Sequence, residues 1–136
     1  MLLFNSCTDE KLAPTREEFL TNSATKQWKL TRVVVNGNIR VSAACDLDNI
    51  YRFNANSEYS ENEGSTTCDA TAIGSDKFNG YWFFSKNKDS LRILNNNRVT
   101  EDQYKIDNIL KNKLEVSFKS NVVGDDSTYY LTYEPF

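Results

Sequence analysis

Histidine is missing from this 136-residue sequence. With it go the commonest general base and the commonest metal ligand. A basic surplus is missing too: 16 lysines and arginines stand against 19 aspartates and glutamates, a net charge of −3. That balance gives no electrostatic footprint for nucleic acid and reads as a solvated acidic surface. The three cysteines, Cys7, Cys45 and Cys68, include no Cys-x-x-Cys pair, so no zinc site is expected. Asp46-Leu47-Asp48-Asn49 lacks the further oxygen ligands and the glycine of a calcium loop. Serines are plentiful, but no histidine can activate one, and a lysine-based dyad has no motif behind it. A glycosidase needs two carboxyls facing across a sugar site. The acidic pairs Asp46/Asp48, Glu61/Glu63, Glu101/Asp102 and Asp125/Asp126 are read instead as solvated acids of turns and strand ends. The expectation is a protein that is no enzyme and carries no metal and no cofactor.

What the chain does contain is strand after strand. The length fits one domain with a real core. Gln27–Val35 carries Trp28, Leu30 and Val34 on one face, interrupted by Arg32, and closes on Asn36-Gly37, a type I′ turn signal. The segment 38–44 is at most a brief return strand. Period-two alternation then marks strands near Asn49–Asn54, Ser57–Asn62, Tyr81–Ser85, Ser90–Leu94, Gln103–Leu110, Leu114–Lys119 and Thr128–Glu134. A polar loop is expected from Glu63 to Asn79. The succession Tyr81-Trp82-Phe83-Phe84 puts bulk on both faces of its strand. Ahead of the strands, Pro14 and the Thr15…Glu18 capping box predict a short helix whose Phe19 and Leu20 seal one end of the fold.

Eight short antiparallel strands, each with one apolar face, cannot all be left with open edges. Closing the sheet into an up-and-down barrel removes those edges. A two-sheet sandwich would need Greek-key crossings that the short sequential turns do not demand. The inward set is read as Trp28, Leu30, Phe53, Tyr59, Trp82, Phe84, Ile93, Tyr104, Ile106, Val116, Phe118, Tyr129, Leu131 and Tyr133. These side chains either fill the barrel or leave a pocket; the tyrosines favour a pocket, because buried hydroxyls need partners. Trp82 and Tyr104, with Phe118 and Tyr129 beneath them, are the expected pocket lining. The mouth is expected at the end away from the helix, bordered by the segment 36–48 and by the turns at Lys86–Asp89 and Asp125–Asp126.

The first residues read differently. Met1-Leu2-Leu3-Phe4-Asn5-Ser6-Cys7 is apolar, then small, then cysteine, and Thr8-Asp9-Glu10-Lys11 follows as a hydrophilic tether. The apolar part is too short for a complete secretory signal and reads as the remnant of one. Leu3-Phe4-Asn5-Ser6-Cys7 resembles a bacterial lipobox, and Asp9-Glu10 resembles the export signal that sends lipoproteins of Bacteroidota to the outer surface. Cys7 is then the lipidated residue. Two cysteines remain, and an even remainder in an exported protein points to a Cys45–Cys68 disulfide, which would stabilise the fold by about 3 kcal/mol. The division is therefore 1–12 as signal remnant, lipobox and tether, and 13–136 as the barrel domain.

Trp28 early in the first strand, the series Cys45…Asp48…Phe53…Tyr59…Cys68 and Gly80-Tyr81-Trp82 together resemble the lipocalin-like lipoproteins of Bacteroidota. The resemblance covers roughly Lys26–Tyr133 and implies an eight-stranded up-and-down barrel with a pocket for a small ligand. Two features depart from the lipocalin pattern. Lys26 stands where a glycine precedes the tryptophan by two residues, and no arginine near the C-terminus matches the one that stacks on it. The implied protein is a non-enzymatic lipoprotein of the cell envelope, at the outer membrane, periplasmic or surface-exposed. It binds a small apolar or amphipathic molecule or, alternatively, contacts an envelope protein or a glycan with a filled barrel.

Overall fold

The computed structural model describes residues 12–40, 44–66 and 76–136. Its first element, α1 (Arg16–Thr21), begins as its capping residues dictate: Thr15 is extended, and its Oγ1 accepts a hydrogen bond from the Glu18 amide at 3.2 Å. A helix of six residues leaves four carbonyls over at its C-terminal end, and all four are taken. Glu18 O accepts from the Asn22 amide (2.7 Å) and Thr21 O from the Ala24 amide (3.1 Å), with Asn22 in the left-handed region. The other two are taken by side chains of the first strand: Lys26 Nζ donates to Phe19 O (2.9 Å) and Trp28 Nε1 to Leu20 O (3.0 Å).

The strands run as a meander: β1 (Thr25–Val35), β2 (Asn38–Arg40), β3 (Ile50–Asn54), β4 (Glu58–Asn62), β5 (Asp76–Phe84), β6 (Ser90–Leu94), β7 (Thr100–Leu110), β8 (Lys113–Lys119) and β9 (Thr128–Pro135), with a four-residue α2 (Ala44–Leu47) between β2 and β3. All neighbours are antiparallel, and β1 pairs with β9 from Trp28↔Pro135 to Val35↔Tyr129, closing an eight-stranded barrel. The all-β expectation holds in class and topology. The return strand after Asn36-Gly37 exists as β2: both turn residues have positive φ, as a type I′ turn requires, and β2 pairs with β1 alone among the described strands. One boundary differs. The loop expected from Glu63 to Asn79 gives way at Asp76 to β5, whose Phe78 and Asn79 pair with Glu61 and Ser60.

Strand β1 also departs from its expected face. A bulge at Thr31 shifts the pairing from Leu30↔Tyr133 to Arg32↔Thr132. One extra residue inverts the alternation beyond it. Val33 is therefore buried in place of Val34, and Arg32 no longer interrupts an apolar face because it points outward. The core gathers Leu20, Trp28, Leu30, Val33, Phe53, Trp82, Leu91, Ile93, Ile106 and Val116, with Phe19 and Phe84 packed on it. Gly80 allows one close approach: a Cβ there would lie 2.0 Å from Leu94 O.

The two ends of the barrel differ. The turns after β3, β5 and β7 share an end with α1: Arg16 donates to Lys88 O (2.7 Å), Glu17 pairs with Lys88 (2.9 Å), and Lys26 Nζ donates also to Lys111 O (2.5 Å). The turn at Lys86–Asp89, expected at the mouth, thus belongs to the closed end; hairpin turns alternate between ends, and this one follows the turn after β3 by two. Trp28 is fully buried there, with Lys26 Nζ 4.3 Å above its ring. The lysine that departs from the lipocalin pattern is therefore also the cation over the tryptophan, a favourable placement over the ring face. The opposite end receives the connections leaving β1, β4, β6 and β8, among them Asp125–Asp126.

Candidate functional site

Alternation on β4 sets Tyr59 and Glu61 on one face, the face that looks into the barrel, and Glu63 follows just past the strand end. Glu63 is 6% exposed and Tyr59 5%. These acids, read as solvated from sequence, lie inside or against the barrel wall. Tyr59 donates from its hydroxyl to Glu61 Oε1 at 2.6 Å. Buried Asn49, with its amide nitrogen turned toward Glu63, donates to Glu63 Oε2 and to Cys45 O, each at 3.0 Å. Next to Asn49, Asp48 clamps the chain leaving β4: its Oδ2 accepts from the Thr66 amide (2.6 Å), Thr66 Oγ1 (2.5 Å) and Ser65 Oγ (3.3 Å). The hydrogen bonds from Thr66 hold the Asp48 carboxyl below its ordinary pKa. Gly64 passes so near that a Cβ would lie 2.1 Å from Asp48 O, a distance only glycine permits.

Beyond Tyr59 the barrel is not completely filled. A cavity of about 20 Å³ is lined by the aliphatic side chains of Leu91, Ile93, Leu114 and Val116 and by the rings of Phe53, Tyr51, Tyr59, Tyr104 and Tyr133. That volume holds a single water-sized group. Tyr51 and Tyr133 meet edge to face at 5.1 Å between ring centres. The four phenols are pushed above their ordinary pKa and stay protonated. Burial is the largest cause for each; Glu61 comes next for Tyr51 and Tyr59, Asp102 for Tyr104, and Tyr51 for Tyr133. Tyr133 is 9% exposed, and neither its hydroxyl nor that of Tyr104 has a hydrogen-bond partner among the described residues.

Of the four residues expected to line a pocket, three come together. Tyr104 meets Phe118 edge to face at 5.6 Å, and Phe118 stacks on Tyr129 with ring planes 4° apart and centres 4.9 Å apart. The ladder climbs β7, β8 and β9 toward the open end, where Tyr104 and Phe118 also border a shallower depression of about 240 Å³ with Asp102 and Lys119. Tyr104 therefore borders both the inner cavity and the rim. Trp82 stands apart. It is 4% exposed, donates from Nε1 to Asn54 O at 2.8 Å, and packs edge to face on Phe53 and Phe84, so it is not among the residues bordering the cavity. Cys7 and Cys68 lie outside the described residues; Cys45 sits half-buried on α2. Among the described residues no cluster of acids and cysteines has the arrangement of a metal site. Sequence reasoning misses Tyr51, Tyr133 and Glu61 as site residues, although the parity of Tyr59 and Glu61 on β4 is open to reading. Compared with known proteins, the chain matches no protein-family model and no curated sequence.

Proposed function

We propose that the chain is a non-enzymatic lipoprotein of the cell envelope whose barrel takes a small apolar or amphipathic molecule at its open end. The observation that carries this reading is the difference between the two ends. One is shut by α1 with every helix-terminal carbonyl satisfied. The other leads through the Tyr104–Phe118–Tyr129 ladder to a cavity bordered by Tyr104 and Tyr133, whose hydroxyls have no hydrogen-bond partner among the described residues. In this reading Cys7 carries the lipid that holds the protein to the outer membrane, and residues 8–12 are the tether. Cys45 and Cys68 form a disulfide, supported by the Asp48 clamp that holds Thr66 beside the segment following Cys45. The test is mass spectrometry of small molecules released by denaturing natively purified protein: a recurring compound at near-stoichiometric yield is expected, and its consistent absence refutes the binding role.

A second reading has its own observation. The cavity holds one water-sized group, and the open end also displays Ile39, Val122 and Val123, exposed at 67%, 64% and 100%. On that reading the barrel is a filled platform whose rim contacts an envelope protein or glycan. Native protein that carries no small molecule, but cross-links through residues 120–127 to a single envelope component, would favour it.

A further inference from the structure

We propose that the closed end of the barrel carries an anion site: a phosphate monoester held between the ammonium groups of Lys26 and Lys111, with the side-chain amides of Asn22 and Asn112 beside it. The site lies at the opposite end from the ligand mouth and does not depend on that reading. Its first support is position. Asn22 caps the C-terminal end of α1, and Lys111 and Asn112 are the two residues that turn β7 into β8. With Lys26 and Pro135 they line a depression of about 550 Å³. A neighbouring depression of about 240 Å³ shares Asn22, Lys26 and Lys111. The second support is charge. The described ion pairs join Lys88 to Glu17, Lys105 to Asp107 and Lys113 to Glu115, and neither Lys26 nor Lys111 has a carboxylate partner among the described residues. Glu18 borders the smaller depression but pairs with neither lysine. Burial first, and the charge of Lys111 second, hold the Lys26 ammonium below its ordinary pKa, and no acid acts the other way. The fold thus keeps two like charges at one hollow, an arrangement that a doubly charged anion relieves. The third support is the fixing of Lys26. Its Nζ donates to Phe19 O and Lys111 O and stands over the Trp28 ring, so one of its three N–H donors has no oxygen. An ammonium already held in place loses little further freedom when a ligand arrives. Two ammoniums match the charge of nearly −2 that a phosphate monoester carries near pH 7, whereas a carboxylate answers only one of them. The carboxamides of Asn22 and Asn112 make no hydrogen bond among the described residues and can donate to the remaining oxygens.

The experiment takes the full chain with Cys7→Ser, so that no lipid anchor contributes, and titrates it with glycerol phosphate while NMR follows the side-chain amides. Saturable binding that shifts the Asn22 and Asn112 amides is expected, with acetate about fivefold or more weaker. Lys111→Gln removes one charge from an exposed turn and keeps the carbonyl that Lys26 holds, so the docking of α1 is retained. It should weaken glycerol phosphate about fivefold or more. Lys105→Gln makes the same change in net charge on an exposed side chain of β7 and should do nothing. Phosphatidylcholine vesicles with and without phosphatidic acid separate the two sources of the phosphate. Preferential sedimentation with the acidic vesicles, lost in Lys111→Gln, assigns a lipid headgroup; binding of glycerol phosphate without that preference assigns a free monoester. The proposal is overturned if neither amide shifts at millimolar glycerol phosphate and the acidic vesicles are not preferred. Acetate binding as tightly as the phosphate, or an equal loss in Lys105→Gln, overturns it as well.

Discussion

Trp28→Phe tests how the closed end is held. The indole is fully buried, and its Nε1 donates at 3.0 Å to Leu20 O, a carbonyl that the six-residue α1 cannot satisfy internally. Phenylalanine keeps the apolar contact with Leu20 but has no donor. The carbonyl then remains dry and unpaired, at a cost of about 1–3 kcal/mol. The smaller ring leaves space that a well-packed core closes only partly, adding about 1 kcal/mol. The expected loss is therefore about 2–4 kcal/mol in chemical denaturation. For a domain of this length each kcal/mol lowers Tm by roughly 3–5 °C, so the midpoint should fall by roughly 6–20 °C. Lys26→Met should cost less, because Lys26 is only partly buried and water can reach the carbonyls it leaves. Since Lys26 and Trp28 hold adjacent carbonyls of one helix, the double substitution should cost measurably less than the two single losses added together, by about 0.5 kcal/mol or more. A Trp28→Phe loss below about 1 kcal/mol, or strict additivity with Lys26→Met, would refute the idea that α1 is docked by these two side chains.

Gly80→Ala should abolish cooperative folding or lower Tm by well over 10 °C, because the added methyl meets the Leu94 carbonyl inside the β5–β6 ladder and backbone cannot step aside; a thermal melt close to wild type would contradict the pairing. Asp102→Asn should raise Tm slightly at pH 7. Burial, then the neighbouring Glu101, raises the Asp102 carboxyl in the folded state above its unfolded value, so its charged form opposes folding at neutral pH and the penalty fades as pH falls through the carboxylate range; a gain that persists at pH 3 would show another cause. Cys7→Ser in the native cell should release the protein from the membrane fraction, and retention there would end the lipid-anchor proposal. Peptide mapping without reductant should recover Cys45 and Cys68 as one cross-linked pair, and recovery of both as free thiols from oxidised material would remove the disulfide.

The barrel was readable from sequence because its signals are local: period-two alternation, the Asn36-Gly37 turn, the Thr15…Glu18 cap. The turn and the cap stand where the sequence puts them, and among the strands only the ends move, most of all at the start of β5. The failures share one origin, which is that alternation has no memory of a bulge. A single extra residue at Thr31 exchanges Val34 for Val33 in the core, and nothing in the side chains of Lys29 to Val35 announces it. The sequence puts the turn at Lys86–Asp89 at the wrong end for a related reason. Which end a hairpin occupies depends on counting strands from a fixed reference, and that count becomes fixed only once α1 is seen docked against Trp28 and the turn after β5.

The candidate site was harder to read because its central residue contradicts a good rule. Acids at strand ends are usually solvated, and that rule puts Glu61 with Glu63 on the surface. Yet Tyr59 is the apolar member of β4, and the residue two places on must share its face unless a bulge intervenes; the bulge in the β4–β5 pairing comes only after Glu61. The rule about acids and the rule about parity therefore disagreed at one position, and parity won because closure of the barrel leaves an inward side chain nowhere else to go. Burial of a carboxylate is costly unless something answers its charge or its hydrogen bonds. Tyr59 answers one oxygen of Glu61 at 2.6 Å, and the phenols of Tyr51, Tyr104 and Tyr133 lie near enough for its charge to raise them all. A conflict of this kind, where patterning forces a polar group inward against its own preference, is where function is most often stored. Glu61, which no motif marks, is a position of that kind.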